Sequence, residues 1–300
     1  MTIKFLKNRW IDNDEVESDY NKILNIIKFG GSLSDLDTPF GKTNEGYADF
    51  RGIDLSNKKL MKCTFNHIDF SHSNFSSARI EKSVFLDCNF DKVVFVDASE
   101  NNNTFEDTNF LRCSFNYAFL GYGGSLFNKC MFLKTTFTKT NFIRPEFYNV
   151  SFKECKLKNI DFSASYFKDC NFIGKLESVW FRGGYDSNYD QDIFGKSKKN
   201  KMENISFENA ILKEVNFSND CDLSTIKLPS KGKYKLYDNW YSRLKNIKNE
   251  LLNKDIGTLI KFYEIHAKKQ KWFLINVDEL EQEYDKKSVN QIIKILDSYE

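Results

Sequence analysis

The chain has 300 residues, 16% of them aromatic and 29% charged, and a net charge of +2. So balanced a charge excludes both the strong basic excess of a nucleic-acid binder and the strong acidic excess of a nucleic-acid mimic. No apolar run approaches membrane length and polar residues fill the first twenty positions, so neither a membrane span nor a signal peptide is expected.

Residues 1–47 read as an N-terminal cap with one helix: Val16, Tyr20, Ile23, Leu24 and Ile27 recur at helical spacing, and Gly30 and Gly31 supply a stop. From residue 48 the spacing changes. The stretch SVFLDCNFDKVVF (83–95) sets phenylalanine at 85, 90 and 95, a period that belongs neither to a helix nor to a strand. A step of five collects Phe50, Leu55, Leu60, Phe65, Phe70, Phe75, Ile80, Phe85, Phe90, Phe95, Phe105, Phe110, Phe115 and Leu120, with Glu100 as the break. Beyond GYGGS (121–125) the register shifts by two and resumes as Phe127, Phe132, Phe137, Phe142, Phe147, Phe152, Leu157, Phe162, Phe167 and Phe172; a later block holds Phe207, Leu212 and Phe217.

Two residues before these lie small side chains, among them Ala48, Ser73, Ala78, Thr108, Thr135 and all seven cysteines (63, 88, 113, 130, 155, 170 and 221). Positions two apart share one side of an extended segment, so both registers point inward and the remaining residues turn a corner, where Asn, Asp, Ser, Lys and Gly gather. Four such corners close a square of roughly twenty residues, and squares stack at about 4.8 Å. One large side chain per edge fills the narrow interior, so its neighbour must be small. The thiols then act as small buried hydrophobes, and their odd number fits a reducing compartment.

The motif of a small residue, Asp or Asn, then Leu or Phe appears as ADF (48–50), IDF (68–70), SNF (73–75), CNF (88–90), TNF (108–110), TNF (140–142), IDF (160–162), CNF (170–172) and CDL (221–223). The chain thereby resembles the pentapeptide-repeat family over roughly residues 48–230. The resemblance implies an all-β solenoid, a right-handed quadrilateral β-helix, here with a C-terminal α-helical subdomain at 231–300. It also implies a non-catalytic, cytoplasmic protein without cofactor, working through protein–protein contact. Relatives in that family protect type II topoisomerases such as DNA gyrase and confer fluoroquinolone resistance. Some are thought to imitate B-form DNA by girth and negative charge, but the outward edge here runs Asp49, Asp69, Asn89, Asn109, Met131, Ser151 and Asn171, a poor phosphate mimic. Direct nucleic-acid or membrane binding is not expected. The other readings are an immunity or adaptor protein for a different target and, more remotely, a calcium-dependent or glycan-active β-helix.

Three interruptions break the repeat. At SENNN (99–103) a bulge is expected to turn Glu100 outward, because an unpaired buried carboxylate is costly. GYGGS should make a wide corner. The third, residues 182–202, leaves the coil and returns, and loops projecting from the coil contribute to activity in topoisomerase-directed relatives. Arg182, Tyr185, Asp186, Tyr189, Asp190, Asp192, Phe194 and Lys196 are therefore the candidate partner-binding residues, against a merely tolerated surface insertion. Asp186, Asn188, Asp190 and Asp192 alternate like early calcium ligands, but Gln191 and Ser197 stand where the glycine and glutamate of such a loop belong. No other metal set and no catalytic constellation is present.

The tail reads as helices: Tyr237, Trp240, Tyr241, Leu244, Ile247 and Leu251 form one stripe; Ile256, Leu259, Ile260 and Tyr263 a second; Val289, Ile292, Ile293 and Leu296 a third, with Ser288 as N-cap. It is either a large cap or a partner or homodimer surface.

Overall fold

The computed structural model describes residues 2–12, 14–34, 37–185, 187–247, 254–267 and 270–299. The five-residue period folds as a four-faced parallel β-solenoid. On one face Leu33, Phe65, Phe85, Phe105, Phe127, Phe147 and Phe167 pair in register along a seven-stranded ladder. The next face aligns Phe90, Phe110, Phe132, Phe152 and Phe172. A third is held by single bridges through Asp54, Asn74, Val94, Ser114, Thr136 and Lys156. The fourth stacks Leu60 on Ile80 and Glu100, and ends with Phe142, Phe162, Phe181 and Phe217.

Two residues past the core position, the corner residue adopts a left-handed backbone, as at His67 (φ 57°), Asp87 (φ 47°) and Lys92 (φ 56°). This conformation strains most L-residues. Each corner amide is compensated by a carbonyl of the next coil: His67 N–H donates to Leu86 O and Asp87 N–H to Glu106 O, both at 2.9 Å.

Inside, every phenylalanine of the five-residue registers from Phe50 to Phe217 is buried. Most rings stack on their equivalents in the next coil, as Phe90 on Phe110 (5.1 Å, 4°) and Phe152 on Phe172 (4.9 Å, 4°), while Phe50 on Phe70 (52°) and Phe142 on Phe162 (40°) are tilted. They meet their neighbours within a coil edge-on, as Phe65 meets Phe70 (5.5 Å, 81°). Both geometries suit the ring quadrupole. The small register lies beside the backbone of the preceding coil: Cys113 Sγ contacts Phe90 O at 3.1 Å and Thr135 Oγ1 donates to Phe110 O at 2.9 Å. All seven cysteines are free and buried. Burial pushes Cys88, Cys130, Cys155 and Cys170 up to about 12, so they remain thiols at neutral pH.

Glu100 departs from the sequence expectation. It points inward, 3% exposed, accepting hydrogen bonds from Asn103 Nδ2 (2.9 Å), the Ser125 hydroxyl and the Gly121 amide. GYGGS supplies two of these donors, Gly121 and Ser125, and SENNN the third, so the two irregularities form one polar site within the core. Burial raises the carboxyl to about 7, with the three hydrogen bonds opposing.

Both coil ends are covered. At the start, α1 (Ile3–Asn8), a 3-10 turn (Arg9–Ile11) and α2 (Asp14–Phe29) set Trp10 against Phe50 (6.0 Å), while Ile23 and Ile27 are buried. Sequence periodicity missed α1, a single capped segment that buries only Leu6. It packs so closely that a Cβ on Gly52 would meet Leu6 O at 2.3 Å. The first rung also begins earlier than residue 48, because Ser32–Leu33 pairs with Thr64–Phe65.

At the other end the tail is not purely helical. Tyr234–Tyr237 and Phe273–Asn276 pair as a two-stranded antiparallel sheet, so Tyr237 lies on a strand rather than at the head of a helix. Tyr234, Leu236, Trp272 and Leu274 pack on the coil core. Beyond α3 (Asn188–Phe194), Trp240, Ile260, Ile292 and Leu296 build a second core with α4 (Trp240–Asn246), α5 (Lys254–His266), α6 (Val277–Glu283) and α7 (Lys286–Asp297). Asp285, not Ser288, caps α7, since its side chain accepts from Lys287 N and Ser288 N. Leu251 lies outside the described residues.

Candidate partner-binding site

The insertion starts at Arg182, whose guanidinium grips Asp161 through Nε (2.8 Å) and Nη2 (2.7 Å). Arg182 is thus a strut at the base of the insertion. Ser187 then caps a short helix, α3 (Asn188–Phe194), accepting from Tyr189 N at 3.1 Å, and Gly195 (φ 81°) ends it.

One side of α3 is pinned to the coil. Phe194 meets Tyr122 of GYGGS edge-on at 5.2 Å with Tyr185 beside it, and Arg144 Nη1 donates to Lys196 O at 2.8 Å. Burial raises the Tyr185 phenol, whose oxygen has no hydrogen-bond partner among the described residues. Farther on, Lys198 Nζ donates to Glu146 Oε2 (2.5 Å) and Tyr148 Oη (2.8 Å) and lies over the Tyr148 and Tyr166 rings. These bonds raise the Lys198 amine above its ordinary range. The chain re-enters the core before residue 202: Asn200 is buried, accepting from Phe167 N and Met202 N, and Met202 is itself a core residue.

The other side of α3 is bare. Tyr189 is 68% and Ile193 54% exposed, four residues apart and so on one helical face. Asp192 is exposed beside them and Asp190 is half-buried. Ile193 escaped the sequence reading, which weighed the charges of the insertion; its i, i+4 relation to Tyr189 was the available signal.

A calcium loop is not formed. Asp190 and Asp192 sit on α3, where residues two apart project in nearly opposite directions. Asp186 lies outside the described residues. Among the described residues no group of three His, Cys, Asp or Glu could hold a metal ion.

The edge considered for DNA imitation is closed. Asp49 is buried between Arg9 (2.6 Å) and Arg51 (2.8 Å). Burial pushes its carboxyl up, but bonds from Arg51 and Arg9 outweigh this and hold it at about 2. Asp69 is buried as well, bonded to the Ser71 hydroxyl and to Asn89 Nδ2 (3.2 Å), and burial raises its carboxyl. Neither presents charge to a partner. In the C-terminal subdomain, Phe262 and Ile265 of α5 are exposed, and no described helix is long and apolar enough to cross a membrane.

Residues 146–174 match the sequence family described as pentapeptide repeats, eight copies. No curated protein matches the chain. Among solved structures it is similar to QnrB1, a plasmid-mediated fluoroquinolone resistance protein (a trypsin-treated variant: 14% identity, 56% of this chain and 79% of that chain, TM-score 0.41). It is also similar to HetL, a pentapeptide repeat protein involved in heterocyst differentiation regulation in the cyanobacterium Nostoc (11% identity, 70% and 90% covered, TM-score 0.24).

Proposed function

Since the chain carries pentapeptide repeats folded as a doubly capped coil, we propose that it is a non-catalytic binding protein whose rigid coil presents α3 and the C-terminal subdomain to a protein partner. The observation that carries this reading is the exposed Tyr189–Ile193 pair on a helix whose opposite side is anchored by Phe194 and Arg144. Aromatic and aliphatic side chains held out on a preorganised element are the usual anchors of protein interfaces. The buried free thiols support a reducing, cytoplasmic setting.

For the partner we propose a type II topoisomerase, DNA gyrase in particular, so that the chain modulates or protects it. Support comes from the repeat and from its projecting insertion. The contact runs through α3, not charge imitation, because Asp49 and Asp69 are neutralised or buried. A second reading, an immunity or adaptor protein for another target, is favoured by the separate core and exposed Phe262 and Ile265 of the C-terminal subdomain, which also suit a homodimer. Affinity capture from host lysate with the full chain and its Tyr189→Ala/Ile193→Ala form tests both. Topoisomerase subunits retained only by the unaltered chain support the first; a different protein, or capture indifferent to the substitutions, supports the second.

A further inference from the structure

A cleft of about 300 Å³ lies where the last coil meets the C-terminal subdomain. Its walls are aromatic: Tyr263 approaches Phe273 at 5.3 Å, and Phe262 stacks against His266 at 4.2 Å. Val215, Ile275 and Leu280 add aliphatic surface, and Glu214, Glu279 and Glu283 supply the charge.

The polar groups are unbalanced. Three donors in the lining are committed within the protein: Asn276 Nδ2 to Leu212 O (2.9 Å), Asn216 Nδ2 to Glu214 O (3.2 Å), and the His266 ring Nδ1 at Phe262 O (2.7 Å). Acceptors remain. Glu279 accepts from the Glu214 amide (2.7 Å) and from the Asn276 side chain, and among the described residues no Lys or Arg forms an ion pair with Glu279 or Glu283. Lys213 approaches Glu214 at 3.8 Å from outside. Burial raises the Glu279 carboxyl, and Glu214 and Glu283 add repulsion.

We propose that this cleft binds an organic cation with an apolar body, an ammonium or guanidinium group joined to an alkyl or aryl chain. The cation supplies the positive partner that the Glu279 and Glu283 carboxylates lack, and its body lies against the Phe262 and Tyr263 rings, whose faces attract positive charge. A bare metal ion does not fit, because these carboxylates do not converge as a ligand set. Both a free amine and a Lys or Arg side chain of a protein segment carry this chemistry.

The test titrates the isotope-labelled full chain with 4-phenylbutylammonium, with the neutral 4-phenylbutanol and with the peptide acetyl-Leu-Arg-Phe-amide, following Phe262, His266 and Asn276 resonances. The ammonium compound or the peptide should saturate at least about tenfold more tightly than the alcohol. Tighter binding of the ammonium assigns a free amine as ligand, and tighter binding of the peptide assigns a protein segment. Glu283→Gln, which leaves the Glu279–Glu214 contact intact, should weaken the cations and leave the alcohol unchanged. Equal affinity for cation and alcohol, cation affinity untouched by Glu283→Gln, or no saturable shift at these residues would overturn the proposal.

Discussion

The carboxylate of Glu100 accepts a hydrogen bond from the hydroxyl of Ser125, twenty-five residues later and one coil farther along the solenoid. A position that otherwise holds an apolar side chain, Ile80 in the coil before, is occupied by an acid enclosed by three donors.

That enclosure makes stability depend on pH in a defined direction. The folded carboxyl sits at about 7 against an ordinary 4.5, so the folded state binds its proton more tightly than the unfolded chain does. Its contribution is fully present below pH 4.5 and is lost as pH rises through 7, a difference of about 3 kcal/mol. Glu100→Gln should flatten this slope and raise the melting temperature above pH 7. Parallel pH–melting curves for the two proteins would refute the assignment.

The aromatic ladder makes a second prediction. Phe110 stacks on Phe90 and Phe132 and is 1% exposed. Phe110→Ala should destabilise by about 3–5 kcal/mol in denaturant titration, and Phe90→Asp by more, since it also buries a charge. An unchanged midpoint for either would show that these rings do not face the core.

The N-terminal clamp is a third. Arg9→Met leaves Asp49 buried with Arg51 alone and should cost about 3–5 kcal/mol, whereas Arg9→Met with Asp49→Leu should recover much of that loss. Equal losses in both variants would mean that Arg9 acts through packing on Trp10 and Phe40 instead.

The thiols are a fourth. In the native protein none of the seven should react with an aromatic disulfide reagent at pH 8, and all should react after unfolding. Rapid labelling of even one before unfolding would place it outside the core.

The coil was legible because its period is local: Phe85, Phe90 and Phe95 report five-residue edges within one short stretch. Glu100 was not, because two of its three donors, Gly121 and Ser125, lie a full coil away and the two-residue shift at GYGGS hides their alignment. In the tail, Tyr234–Tyr237 is too short for strand and helix periods to be told apart, and its partner strand begins only at Phe273. Within the insertion the charged residues drew attention, while the exposed face of α3 depends on which side Phe194 anchors, a tertiary fact.

The most direct measurement is the affinity of the captured partner for the intact chain and for its Tyr189→Ala/Ile193→Ala form, at about 0.15 and about 0.5 M salt. These exposed substitutions should leave the melting temperature nearly unchanged. Binding through α3 predicts at least a tenfold loss in the variant, about 1.4 kcal/mol, with little dependence on salt. Affinity that survives the substitutions and collapses at high salt would contradict the account and return the interaction to charge on the coil.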